Sequence, residues 1–283
     1  MATRDKALLD LIRPEVWNLQ LSNFYPNERE FNKPAKKQHK ISVITTCMGR
    51  ADDIKKTFIK NVLDNIEYPR VEFVLLNYSS KDDLDAWAKG SLPKYIEKGV
   101  VNYYRTVDDY KYFMLSHSKN IAFKVATGDI INNVDADNFT NKGFAERVNL
   151  LANQVDTTKI IFTKSYRRNR GRLGFYKNEF VKTLGGYDEN LIDYGYEDPD
   201  LFHRANAMGF KAWRFGGEFL TLVDGHRQHN HISNYENRDW MYTQRRNTLL
   251  SLLNLTGGYH RANKHRHWGK ARLIKNFKEE ISI

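Results

Sequence analysis

The chain has 283 residues, a formal net charge of +11 and 41% hydrophobic residues, enough for one large domain or two closely packed halves around a real core. One cysteine, Cys47, excludes an internal disulfide framework and suits a reducing, cytoplasmic setting. The positive balance fits acidic small molecules, anionic lipid surfaces or nucleic acid without choosing among them.

Residues 1–40 read as an accessory arm. An amphipathic helix over 7–21 is interrupted near Pro14, and Pro26 and Pro34 mark loop. The 8–21 stretch is broken by Asp10, Arg13, Pro14 and Glu15, so neither a signal peptide nor a membrane span is expected. Lys36, Lys37, His39 and Lys40 form a basic run that reads as a solvated linker.

An alternating pattern then begins. Strands are predicted over 41–47, 71–76 and 100–105, and helices over 52–63, 82–89 and 116–126. Strands alternating with helices predict an α/β fold with a mostly parallel, doubly wound sheet. Ligands of such sheets gather at the carboxyl ends of the strands, here near Thr45, Thr46, Arg50, Asn77 and Tyr78.

Residues 127–140, T-G-D-I-I-N-N-V-D-A-D-N-F-T, are the most informative stretch. Ile130, Ile131 and Val134 supply a short buried strand, and Asp135 and Asp137 follow it. In extended backbone two residues apart share a side, so both carboxylates can face one ligand. Hard oxygen donors suit Mg²⁺ or Mn²⁺; the plainer reading is two solvated carboxylates on a loop.

A helix over 142–153, a strand over 159–164, a basic loop over 165–174 (Arg167, Arg168, Arg170, Arg172) and a helical turn over 179–184 come next. In G-G-Y-D-E-N-L-I-D-Y-G-Y-E-D-P-D-L-F-H-R, Glu197 and Asp198 precede Pro199 at a predicted helix start, where a capping role is also open. Tyr194, Gly195 and Tyr196 make an aromatic-walled turn suited to stacking a sugar ring. Residues 241–283 read as a basic, helical tail with Trp268, Leu273, Ile274 and Phe277 interleaved. Those four could dock on anionic membrane or pack on the protein's own core.

Three blocks carry a family resemblance. I-S-V-I-T-T-C-M-G-R at 41–50 resembles an opening nucleotide-binding strand. S-K-N-I-A-F-K-V-A-T-G-D-I-I-N-N-V-D-A-D at 118–137 resembles a helix–strand–DxD unit, and 184–204 resembles an acceptor-site block with its Glu-Asp pair. Together they are similar to GT-A fold (Rossmann-like) glycosyltransferases of the broad family 2 grouping. The carboxyl half resembles β-1,4-galactosyltransferase and chondroitin-polymerase type enzymes.

The resemblance implies a metal-dependent, inverting hexosyltransferase of polysaccharide biosynthesis. It would use a nucleotide-sugar donor, foremost a UDP-sugar, and a glycan or lipid-linked acceptor. Residues 41–137 would form the donor half and 138–240 the acceptor and catalytic half. Asp137 would bind Mn²⁺ or Mg²⁺ directly, with Asp135 at the metal or the ribose. Glu197 would bind acceptor, and Asp198 would be the catalytic base. A downstream histidine often completes the metal site; of His226, His229 and His231, His226 matches best and His229 second. Thr45, Thr46, Arg50, Asn77, Lys119, Asn120 and Asp135 would line the donor site.

Two departures bear on uridine specificity. Asn77 stands where an aspartate often meets the base, and Lys119 replaces the usual arginine before Asn120. Rival readings are a metal-dependent phosphohydrolase or nucleotidyltransferase, which would share the paired aspartates, and a basic nucleic-acid-binding protein. No nucleic-acid motif is present, so nucleic acid is not expected as a partner.

Overall fold

A computed structural model of the chain describes residues 33–164, 172–223 and 232–283. The first half alternates as its periodicity requires: β1 (Ile41–Cys47), α1 (Ala51–Asn65), β2 (Val71–Asn77), α2 (Leu84–Ser91), α3 (Pro93–Glu97), β3 (Val101–Thr106), α4 (Leu115–Val125) and β4 (Ile130–Asn133). There follow β5 (Asn138–Phe139), α5 (Phe144–Ala152), β6 (Ile160–Thr163), β7 (Gly174–Tyr176), a π-helical turn (Glu179–Leu184), α6 (Glu197–Ala207), β8 (Lys211–Arg214) and β9 (Thr221–Leu222). A 3-10 turn (Ile232–Asn234), α7 (Trp240–Thr256), β10 (Arg272–Lys275) and β11 (Glu279–Ser282) complete the described chain.

One nine-stranded sheet runs in the order β11-β10-β3-β2-β1-β4-β7-β6-β8, and β5 pairs with β9 in a separate two-stranded ribbon. The β3-β2-β1-β4 centre is parallel, as is β6 with β8. The insertions of β7, β10 and β11 are antiparallel.

Side-chain alternation divides the core into two layers. Val43 of β1, Phe73 and Leu75 of β2, and Phe162 of β6 pack with Ile54, Phe58 and Val62 of α1. On the other face Ile44, Val74, Leu76 and Ile161 pack with Ile121 and Phe123 of α4 and Leu201 and Phe202 of α6. Because helices cover both faces, the central strands are apolar on both sides and read as near-continuous hydrophobic runs.

The carboxyl-terminal region departs from the helical tail expected over 241–283. Only α7 is helical; Leu273 and Ile274 belong to β10, which pairs antiparallel with β3 and so covers an edge of the parallel core. Asn276 and Phe277 turn the chain with positive φ (49° and 66°), and the Lys278 amide donates to the Lys275 carbonyl. Phe277 holds that unfavourable conformation while stacking on Tyr103, ring centroids 4.8 Å apart. Trp268 lies edge-on against Phe180. Trp268, Leu273 and Phe277 pack on the protein itself and Ile274 lies in the β10 ladder, so the four do not form a membrane-docking helix. Among the described residues no helix is long and apolar enough to cross a membrane.

Candidate active site

The carboxyl ends of β1 and β4 are stitched together before the acidic pair begins. The Val134 amide donates to the Ile44 carbonyl (2.8 Å), and the Thr45 hydroxyl donates to the Val134 carbonyl (2.9 Å). Thr45 therefore shapes the end of the strand, with Thr46 partly buried beside it.

Asp135 and Asp137 then leave the sheet among cations. Asp135 accepts from the Asn133 amide (2.9 Å) and lies 3.4 Å from Arg172 Nε. Burial works against its charge, but Arg172 and Lys119 outweigh burial and hold the carboxyl below its usual range. Asp137 accepts from the Asn138 side chain (2.7 Å) and sits 3.1 Å from Arg50, whose guanidinium is also gripped by Asp53 at 2.8 Å. The Val223 amide, just past β9, donates to the Asp137 carbonyl (2.9 Å). His226, His229 and His231 lie outside the described residues, as do Arg167, Arg168 and Arg170. Asp135 and Asp137 offer hard oxygen donors suited to a divalent cation. Among the described residues no cluster of three or more His, Cys, Asp or Glu completes a metal site.

The second half of the site forms at the start of α6. Asp193, Gly195 and Tyr196 all have positive φ (62°, 97° and 72°), so the chain reverses sharply before Glu197. A tyrosine in the left-handed region persists only where surroundings over-determine it. Here α7 supplies the brace. Asn247, fully buried, donates to the carbonyls of Ile192 (3.0 Å) and Gly195 (2.8 Å), and Thr243 donates to that of Tyr194 (2.9 Å). Below the turn, Asp200 and Arg204 form a fully buried pair at 2.7 Å. Ser251 donates to Asp200, while Arg204 donates to the carbonyls of Leu184 and Gly186.

Lys119 links the two halves. Its ammonium, buried on α4, lies 2.9 Å from Glu197 Oε1 and 2.9 Å from Asp198 Oδ1, and 5.0 Å from the centre of the Tyr187 ring. Burial favours the neutral amine, yet Asp198 and Glu197 overcome this and push its pKa well up. The Tyr187 hydroxyl donates to the same Asp198 oxygen (3.0 Å). Burial raises the Asp198 carboxyl most; Lys119 opposes the rise, Glu197 and Asp135 add to it, and it is pushed up to about 7. The carboxylates thus bond to Lys119 and Tyr187 rather than only closing the first turn of a helix.

Two residues expected at the donor are committed to the fold. Asn120 donates to the Tyr187 carbonyl and to Glu189, and accepts from the Tyr187 amide, so its amide is spent on positioning the 187–189 backbone. Asn77 donates to the Tyr103 hydroxyl and accepts from the Ser80 amide, holding the turn after β2. In contrast, Tyr187, Arg172 and Tyr235 were not singled out as site residues from sequence. Tyr187 stands in the G-G-Y-D block and Arg172 in the basic loop, but nothing local aims either at a carboxylate. Tyr235 packs edge-on against Tyr194 at 5.6 Å, walling the turn before Glu197.

A sequence model described as glycosyl transferase family 2 matches residues 42–216, which span β1, the acidic pair and the Lys119–Glu197–Asp198 group. The chain belongs to glycosyl transferase family 2. No curated protein sequence matches this glycosyltransferase. Among solved structures it is similar to the mannosyltransferase PcManGT from Pyrobaculum calidifontis in complex with GDP-Man and Mn²⁺. That likeness has 18% identity and a TM-score of 0.55, and covers 81% of this chain and 71% of that one. It is similar also to S. aureus TarS 1–349 in complex with UDP-GlcNAc, with 14% identity and a TM-score of 0.55, covering 76% of this chain and 67% of that one. At such identities the likeness speaks for the fold, and the expected GT-A architecture is the one the family 2 enzyme adopts.

Proposed function

We propose that this family 2 enzyme moves a sugar from a nucleotide-sugar donor to an acceptor hydroxyl with inversion at the anomeric carbon, Asp198 acting as general base. The observation that carries the reading is the buried Asp198 carboxyl, pushed up to about 7 and held between Lys119 and Tyr187. A carboxyl near neutral pH can accept a proton during reaction and release it afterwards. The proposed route uses one base and no covalent intermediate, a single in-line displacement that inverts configuration.

Asp135 and Asp137 are the residues that would hold Mn²⁺ or Mg²⁺. The chemistry of the donor set fits, since each is a hard anionic oxygen ligand at a strand end. A bound divalent ion would supply charge neutralisation on the departing diphosphate. His226 remains the proposed third ligand. Val223, three residues before it, is bonded to the Asp137 backbone, which supports this choice over more distant histidines. Arg50 and Arg172 bring further positive charge to the same anionic donor. Both similar structures named above carry nucleotide sugars, GDP-Man in one and UDP-GlcNAc in the other, and a UDP-sugar is the donor proposed here.

Glu197, the neighbour of the base, is proposed to orient the acceptor hydroxyl, with Tyr194, Tyr196 and Tyr235 as aromatic walls for a sugar ring. The deciding experiment is Asp198→Asn. Turnover should fall by about two to four orders of magnitude while donor affinity stays within a few-fold. NMR of the wild-type product should show the anomeric configuration opposite to the donor's. Near-normal turnover of the variant, or retention, would remove Asp198 from this role.

A further inference from the structure

The helix α7 is inside out. A helix on a protein surface ordinarily buries an apolar stripe and exposes its polar side. In α7 the deeply buried positions spaced four apart are Thr243, Asn247 and Ser251, and each spends its hydrogen bonds on the 192–195 turn or on Asp200. The outer ridge at the same spacing is Met241, Arg245, Leu249 and Leu253, all exposed. Met241 is 52% exposed and Leu253 68%, with Tyr242 (56%) and Tyr259 (70%) beside them. Scattered exposed apolar residues are normal, but Leu249 and Leu253 one turn apart, on a ridge that Met241 and Arg245 continue, mark a contact surface.

Charge identifies the contact. From Trp240 to Lys278 the chain has no Asp or Glu, while Arg245, Arg261 and Lys264 are exposed on or just after α7. Arg245 and Lys264 have no acidic partner among the described residues. A second copy docked ridge to ridge would set this unneutralised positive charge against itself across a two-fold axis. An anionic bilayer surface supplies both what the ridge lacks: acyl chains for Leu249 and Leu253, and counter-charges for the arginines and lysine.

We propose that the outer face of α7 docks on an anionic lipid surface. The inner face of the same helix braces the turn before Glu197, so docking turns that side of the molecule toward the bilayer. The consequence that the acceptor is lipid-linked rests on the transferase reading; the docking itself does not.

Flotation of the full chain with vesicles tests it without any catalytic step. Vesicles of phosphatidylcholine alone should leave the protein in solution, and vesicles containing about one-third phosphatidylglycerol should carry it up, less so at high salt. Leu249→Ser combined with Leu253→Ser should weaken this partition by about ten-fold, and Arg245→Glu with Lys264→Glu comparably. An unchanged melting temperature shows that these surface variants are folded. Absence of flotation, or flotation undiminished in the variants, overturns the proposal. So does sedimentation showing a wild-type dimer that Leu253→Ser dissociates while no form binds vesicles; the ridge is then a self-association surface.

Discussion

Lys119 Nζ lies 2.9 Å from Asp198 Oδ1, both groups buried, across a sequence separation of 79 residues. An ion pair removed from water is held by geometry, and losing one partner leaves the other exposed to the full cost of burial. Here the pair does something further: the ammonium restrains the rise that burial imposes on the carboxyl.

The pH dependence follows from that restraint. Asp198 must be deprotonated to accept a proton, so kcat/KM should fall as pH drops through about 7. Lys119→Met removes the opposing charge, and the acidic limb should move to higher pH with reduced turnover at neutrality. Lys119→Arg keeps the charge and should shift the limb less. Rate profiles of the three forms from pH 5 to 9 measure this; superimposable limbs would show that Lys119 does not tune the base.

Metal binding should depend on the acidic pair. Asp137→Ala should lose the Mn²⁺-dependent part of nucleotide binding by calorimetry, with its melting temperature little changed. Asp135→Ala should also weaken it, and His226→Ala to a smaller degree. If His229→Ala weakens it and His226→Ala does not, the third ligand is His229.

Beneath the site, Arg204→Met should strip Asp200 of the guanidinium paired with it and leave a fully buried carboxylate. Burial already raises the Asp200 carboxyl, and Arg204 is what opposes this. Breaking such a pair costs about 3–5 kcal/mol. Urea unfolding should show a loss of that size, and the double variant Arg204→Met, Asp200→Leu should recover part of it.

Cys47 gives a direct probe of the core. It is 1% exposed, and burial pushes its thiol up to about 12. The thiolate is the reactive form, so the native protein at pH 8 should resist alkylation by iodoacetamide, and labelling should track global unfolding in denaturant. Rapid labelling of the native enzyme would contradict the placement of β1.

Local pattern was enough for the alternating strands and helices of the first half. Ile41–Cys47 forms the strand that its apolar run announces, because side-chain period is a property of neighbouring residues, whereas β4 ends at Asn133 and Asp137 lies in a turn beyond it rather than in extended backbone. The three family blocks, likewise, are contiguous in sequence. What the sequence did not determine depends on which strands become neighbours. β7 is slipped antiparallel between β4 and β6, which brings Arg172 to Asp135, and β10 returns from the far end of the chain to pair with β3. A tail rich in basic and apolar residues suits a helix locally, but an open sheet edge beside β3 satisfies its backbone as a strand. Asn77 and Asn120, polar residues at plausible ligand positions, turned to backbone and side-chain groups of the fold because burial demands a partner for every amide. Lys119 reads locally as a departure from a family arginine; only the tertiary fold, which brings it to the start of α6, makes it the counter-charge of Glu197 and Asp198. Such pairings are long-range contacts, and no local period encodes them.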